Sequence, residues 1–353
     1  MKISTARSVA FLGAALLAST VATMPSGPAS ADPVEDFYKG KQVSLILSAG
    51  TGGGYDTYAR ALAPFFSAHI PGKPGIVVQS MPGAGGIRAM NHMFTTAPQD
   101  GTAVALVHSS VPFAPVYKIE GATYDPRKFR WLGAINNASA MCVAWHGSGI
   151  TSWQDLFDKG FIVGGTGAGS QMETLPAMLN KLFGTKIKII SGYKGGNDVF
   201  LAMERGEVHG RCGGLVASIS STRPDWFPEK KVAIPIMVSL ERNPRFPDVP
   251  AVTEFAADER TKRVLTLVLS PQEIDRPVLV PPGVPDDRFN ALRKAFEAAV
   301  ADPGFLAEAK KLRLDVDPVK GERVAAIIAG AFANPPDIVE AANEAMSVTG
   351  DGN

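Results

Sequence analysis

Short apolar runs alternate with helix-spaced apolar positions along most of this chain. Gln42 to Ser48 (QVSLILS) is apolar and rich in branched residues, and it predicts a buried strand. The glycine cluster Gly50 to Gly54 follows. Tyr55 to His69 then carries Tyr58, Leu62, Phe65 and Phe66 at helical spacing. Ile76 to Gln79 predicts a second strand, Pro82 to Gly86 a second glycine loop, and Ile87 to Thr95 a second helix. Thr102 to Val107 predicts a third strand, which ends at His108-Ser109-Ser110. The same order returns further on. A strand over Phe161 to Gly164 leads through the loop Gly165 to Ser170 into a helix over Gln171 to Phe183. Lys186 to Ile190, a loop over Ser191 to Gly196, a helix over Asn197 to Arg205 and a strand opening at Val208 complete this second block. Strands alternating with helices predict βαβ units and parallel sheets.

The C-terminal third is less regular. Val264 to Leu269 (VLTLVL) and Pro277 to Val280 predict strands. Pro285 to Val300, Pro303 to Lys311 and Gly321 to Phe332 predict helices. These elements have no place in the second block, so the chain is expected to return and complete the first. The expected fold class is α/β, with two doubly wound Rossmann-like lobes and a ligand cleft between them. Lobe 1 is expected over residues 32–137 and 259–353, and lobe 2 over 138–258. Single cores stop growing near ~250–300 residues, which also favours two lobes.

The first residues change the compartment. Lys2 and Arg7 precede an apolar run from Val9 to Ala22, and Ala29-Ser30-Ala31 has the small-x-small pattern of a cleavage site. This order predicts a secretory leader removed after Ala31, since the run is shorter than the ~20 apolar residues a membrane span needs. The leader holds two of the 35 basic residues and none of the 34 acidic ones, so the mature chain has a net charge of −1. That balance argues against a nucleic-acid partner. Cys142 and Cys212 are the two cysteines. An oxidising compartment permits their disulfide, but buried free thiols fit the sequence equally well.

Four loops share the order strand, turn, helix, and such turns gather at the carboxyl edge of a parallel sheet. Helix starts bring unpaired N–H groups and a positive dipole end there, which suits an anion. The candidate ligand-binding residues are Gly52, Gly53, Gly54 and Tyr55 in the first loop, and Ser109 and Ser110 after the third strand. The second block adds Thr166, Gly167, Ala168, Gly169 and Ser170, then Tyr193, Lys194 and Gly195. Asp56 is read first as a cap of its helix, and His108 is a candidate for the cleft wall. None of these loops has an arginine at its turn. Backbone N–H groups and hydroxyls are therefore expected to hold the ligand, with weak salt dependence. Gly53 is expected to be needed for close approach to the carboxylate. The loop Gly50 to Tyr55 has the first two glycines of a dinucleotide fingerprint but Tyr55 at the last position, and no acidic strand end follows. The five histidines are scattered, with no metal spacing. No nucleophile, base and orienting acid assemble. No cofactor, metal or enzymatic activity is expected.

Taken together, the segments resemble the solute-binding receptors of tripartite tricarboxylate transporters, the Bug receptors. The anchors are SAGTGGGYDTYARALA (48–63), VVQSMPGAGGIRAMNHM (77–93), APQDGTAVALVHSS (97–110), GGTGAGSQMETLPAML (164–179), YKGGNDVFLAMERGEV (193–208), RFPDVPAVTEF (245–255) and LVPPGVPDDRFNALRKAF (279–296). Their order and spacing carry the resemblance. It implies a type II-like periplasmic binding protein, monomeric, that captures a small mono- or dicarboxylate for the membrane components of a tripartite transporter. Tyr55 and Cys212-Gly213-Gly214 depart from the family's usual residues around the cleft. Two other readings are a dinucleotide-dependent oxidoreductase, prompted by Gly50 to Gly54, and a receptor presenting its ligand to a signalling sensor.

Overall fold

The computed structural model describes residues 1–2, 32–167, 170–193 and 195–347. The expected leader, apart from Met1 and Lys2, lies outside them, as do Ala168, Gly169 and Lys194. The strands are β1 Gln42–Leu47, β2 Gly75–Ser80, β3 Ala103–Leu106, β4 Arg130–Asn136, β5 Ala140–Trp145, β6 Phe161–Gly164, β7 Ile187–Ile190, β8 Gly210–Leu215, β9 Val232–Val238, β10 Asp275–Val280 and β11 Val319–Lys320. The helices are α1 Pro33–Tyr38, α2 Gly54–His69, α3 Ile87–Thr95, α4 Asp155–Asp158, α5 Gln171–Phe183, α6 Gly196–Glu204, α7 Val216–Thr222, α8 Glu259–Leu269, α9 Asp286–Ala301, α10 Pro303–Leu312, α11 Gly321–Phe332 and α12 Pro336–Met346.

Two sheets organise them. One runs β11-β4-β10-β3-β1-β2 and the other β7-β6-β8-β5-β9. Both are mixed, which corrects the expectation of purely parallel sheets. In the first, β1 is parallel to β2 and β3, while β10 runs antiparallel to β3 and β4. In the second, β6 is parallel to β7 and β8, while β5 runs antiparallel to β8 and β9. β11 also runs antiparallel to β4; of the three reversed strands, β5 and β10 follow changes of sheet. Only residues 137–139 separate β4 from β5, so the chain enters the second sheet without a helical crossover, and β10 re-enters the first after β9.

Val264 to Leu269 is helical, not a strand. The six-residue apolar window hides a longer pattern: the Asp258 carboxylate accepts from Thr261 N–H and caps α8 one turn earlier. From there Val264, Leu265, Leu267, Val268 and Leu269 form a buried face. The helix α12, following Pro335, packs against α5 and α8. One apolar cluster runs through both sheets, joining Ala134 and Leu279 of the first to Ala140, Cys142 and Cys212 of the second. Cys142 and Cys212 are disulfide-bonded across β5 and β8, with 3.9 Å between their Cα atoms. Among the described residues, no helix is long and apolar enough to cross a membrane.

Candidate functional site

A cavity of about 550 Å³ is bounded by residues attached to both sheets. Tyr55, Gly85, His108, Ser109, Ser110, Gln272 and Asp275 contribute from the side of the first sheet. Ala138 sits in the crossover, and Ser170, Gln171, Met172, Arg211, Gly213, Leu215 and Ser218 contribute from the side of the second.

Arg211 lies on β8, four residues before the α7 N-cap residue Leu215 and next to the disulfide. It is only 7% exposed. No hydrogen bond to described residues satisfies its Nε or Nη1. Burial pushes its pKa down to about 10, so it remains a cation at neutral pH. Its guanidinium carbon stands 5.0 Å from the centre of the Phe200 ring. Gly196, at the start of α6, leaves room for it, because a Cβ there would stand 2.5 Å from Nη1. The guanidinium thus lies against the start of α6. Ser170 is the N-cap residue of α5, yet its hydroxyl makes no capping bond, and among the described residues its buried Oγ has no partner. Gly213 brings β8 onto this helix start. Its φ is +72°, and a Cβ there would stand 2.2 Å from the Gln171 carbonyl oxygen. An uncompensated buried cation costs several kcal/mol. An anion beside Arg211 and Ser170 removes that cost.

The opposite wall is internally bonded. Tyr55 Oη donates to Asp275 Oδ1 at 2.9 Å, and Ser109 N–H approaches the same phenol oxygen at 3.4 Å. Burial first, then the Asp275 carboxylate, raises the phenol's pKa, so Tyr55 keeps its proton. Asp275 Oδ2 accepts from Asn136 Nδ2 at 3.2 Å and forms an ion pair with Arg276. The His108 ring meets Tyr55 edge-on at 4.3 Å between centres, and its Nδ1 is 3.3 Å from Ser48 Oγ. Burial lowers the His108 pKa, which favours the neutral ring.

The structure brings Tyr55, Ser109, Ser110 and Ser170 to this cavity, together with His108. Gly52, Gly53 and Gly54 are exposed and do not line it. Asp56 Oδ2 takes the Gly52 N–H at 2.9 Å and pairs with Arg60, so that donor already closes its own helix start. Gly167 donates to Glu173 Oε1 at 2.6 Å, and Ser191 Oγ reaches the same oxygen at 2.7 Å. Buried Glu173 thus ties two of the predicted loops together and occupies an N–H expected to meet ligand. Thr166, Gly167, Tyr193 and Gly195 stand outside the lining, although Gly195 caps the helix against which Arg211 lies. The neutral-donor expectation set Arg88 and Arg211 aside as contacts that would defeat it, and Arg211 comes from a strand and not from a turn. Its signal was an arginine inside a glycine-rich apolar strand, since such side chains are rarely buried unpaired.

Two mixed sheets with helices packed on them, and a cavity between them, give the two-lobe, type II-like fold of periplasmic binding proteins. The family described as "Tripartite tricarboxylate transporter family receptor" matches residues 67–343, and the chain belongs to it. This is a family of periplasmic solute-binding receptors and not of enzymes; it binds carboxylate ligands and works with tripartite transporters. A UPF0065 protein in the gbd 5′ region of Cupriavidus necator is 25% identical over 343 residues, covering 94% of this chain and 96% of that protein. A TctC solute-binding protein from Polaromonas, solved without ligand, superposes with a TM-score of 0.64 at 20% identity, over 84% of this chain and 96% of its own. MatC from Rhodopseudomonas palustris with bound malate gives 0.59 at 19% identity, over 85% of this chain and 99% of its own.

Proposed function

We propose that the chain is secreted to the periplasm after cleavage at Ala31, captures a small organic carboxylate in the cavity between its sheets, and delivers it to the membrane components of a tripartite transporter. One observation carries this reading: among the described residues the buried Arg211 Nε and Nη1 and the buried Ser170 hydroxyl have no hydrogen-bond partner, and both residues line the same cavity. The malate held by MatC supports the same ligand class. Each charge-assisted bond contributes about 1.5–3 kcal/mol. Two or three of them supply much of the ~8 kcal/mol that micromolar capture needs.

The two-lobe division proposed for capture is 32–137 with 259–353, and 138–258. Its support is the return of β10 and β11 to the first sheet. The contact of α12 with α5 makes the C-terminal helix a companion of lobe 2 in this scheme. Gln272 is the natural hinge residue. Its side chain accepts from Ala140 N–H at 3.1 Å and donates to the Val238 carbonyl at 3.0 Å, while its backbone leads into β10. Closure about such crossings encloses ligand.

Thermal melts of the mature protein across a carboxylate library test the reading. A ligand at a hundred times its Kd adds about 2.7 kcal/mol. Carboxylates are expected to raise the melting temperature, and their uncharged primary amides are not. Stabilisation by nicotinamide or flavin dinucleotides alone would contradict the reading.

A further inference from the structure

The two walls of the cavity differ in the charged group each offers a ligand: Arg211 on one and Asp275 on the other. The β8 and α5 side offers donors: Arg211 has two unpartnered nitrogens, and Ser170 Oγ has no partner. On the facing side, Tyr55 spends its only proton on Asp275, and Ser109 N–H is directed at the Tyr55 oxygen. Asp275 lines the cavity as an acceptor. Its described partners are Tyr55, Asn136 and Arg276, and a carboxylate has about four acceptor positions. The Arg276 guanidinium that balances Asp275 lies behind this wall. It stacks 3.8 Å from the Tyr58 ring centre and is absent from the lining. A ligand therefore meets the acid's oxygens and not its counterion.

Resting on the carboxylate reading above, we infer that the cavity selects monocarboxylates whose far end donates hydrogen bonds, namely hydroxy- or amino-carboxylates, over dicarboxylates of equal length. The carboxylate is held by Arg211 and Ser170. The hydroxyl or ammonium group donates to Asp275. A second carboxylate placed at Asp275 would face a carboxylate whose neighbouring phenol proton is already committed, leaving the Ser109 and Ser110 hydroxyls nearby as donors, and like charges set together across an interface are strongly disfavoured. Asp275 is thus a specificity-determining residue that works by rejecting the wrong ligand as well as welcoming the right one.

Calorimetric titration of the mature chain tests this with length-matched sets: γ-hydroxybutyrate and γ-aminobutyrate against succinate, and ε-aminocaproate against adipate. In the set whose length fits, the donor-ended ligand is expected to bind at least about tenfold more tightly than the dicarboxylate, a factor equivalent to about 1.4 kcal/mol. Asp275→Asn should shrink that ratio toward unity, because the amide can donate to a second carboxylate. The wild-type ratio stands alone if the variant folds poorly. Equal or tighter binding of the dicarboxylates by the wild type would overturn the inference while leaving carboxylate capture intact. Failure of every carboxylate to bind would remove both.

Discussion

Ser170 and Gly213 separate binding from folding at single positions. Among the described residues Ser170 Oγ has no hydrogen-bond partner, although Ser170 stands at the N-cap position of α5. Ser170→Ala should therefore leave the melting temperature nearly unchanged while weakening carboxylate binding by about 1–3 kcal/mol, the worth of a charge-assisted bond. Parallel melts and titrations check both halves. Gly213→Ala should do the reverse and destabilise the fold, because its φ of +72° and the Gln171 carbonyl leave no room for a methyl group. Gly53 was expected to be indispensable. Its φ of −92° is ordinary and a Cβ there meets nothing within 4 Å, so Gly53→Ala should fold and bind like the wild type. Hydroxyls at helix starts were legible in the sequence because strand, turn and helix follow one another directly. Arg211 was not, because a residue in mid-strand reveals its wall only when the sheet is assembled.

At the scale of elements, alternation of strands and helices conveyed the α/β class but passed over β4 and β5. Three residues join them, so no helix marks the break, and their continuous apolar runs lack the period of a half-buried strand. The short window VLTLVL misled for the converse reason: its helical phase is visible only with the Asp258 cap included. Cysteine pairing was open in the sequence, since 70 residues separate Cys142 from Cys212 and only strand order makes them neighbours. A cross-link closing a loop of that length restricts the unfolded chain by roughly 4 kcal/mol. Reduction under mild denaturant is expected to lower the urea midpoint. An unchanged midpoint after verified reduction would show that the cross-link contributes nothing to stability. Because the cross-link adjoins Arg211 and Gly213, the reduced protein should also bind ligand more weakly.

For the whole molecule, the formal net charge is +1, and −1 once the proposed leader is removed, so there is little long-range steering, and the proposed anchoring cation is buried. Binding should therefore depend weakly on salt, as neutral donors alone would also have required, because buried pairs escape most screening. The pH profile follows from two groups on the protein and one on the ligand. Arg211, lowered by burial to about 10, stays charged through neutral pH, and His108, lowered by burial, stays neutral there. Affinity should hold level from about pH 6 to about pH 8. It should fall as acid protonates the ligand's carboxylate, near pH 4–5 for an ordinary carboxyl group, and fall again as base removes the Arg211 proton.

The central claim is that Arg211 is a cation buried at a cost to the free protein so that it can hold an anion. Arg211→Met keeps much of the side-chain volume and removes the charge, so stability and affinity should move in opposite directions. The measurement is paired: calorimetric titration with the tightest carboxylate found for the wild type, and a denaturant melt of both ligand-free proteins. Affinity is expected to drop by about 2–5 kcal/mol, as for truncation of one partner of a buried charge pair. The ligand-free variant is expected to be at least as stable as the wild type, since replacing buried charge with apolar volume is often neutral or favourable. Undiminished affinity in a folded Arg211→Met protein would contradict the account.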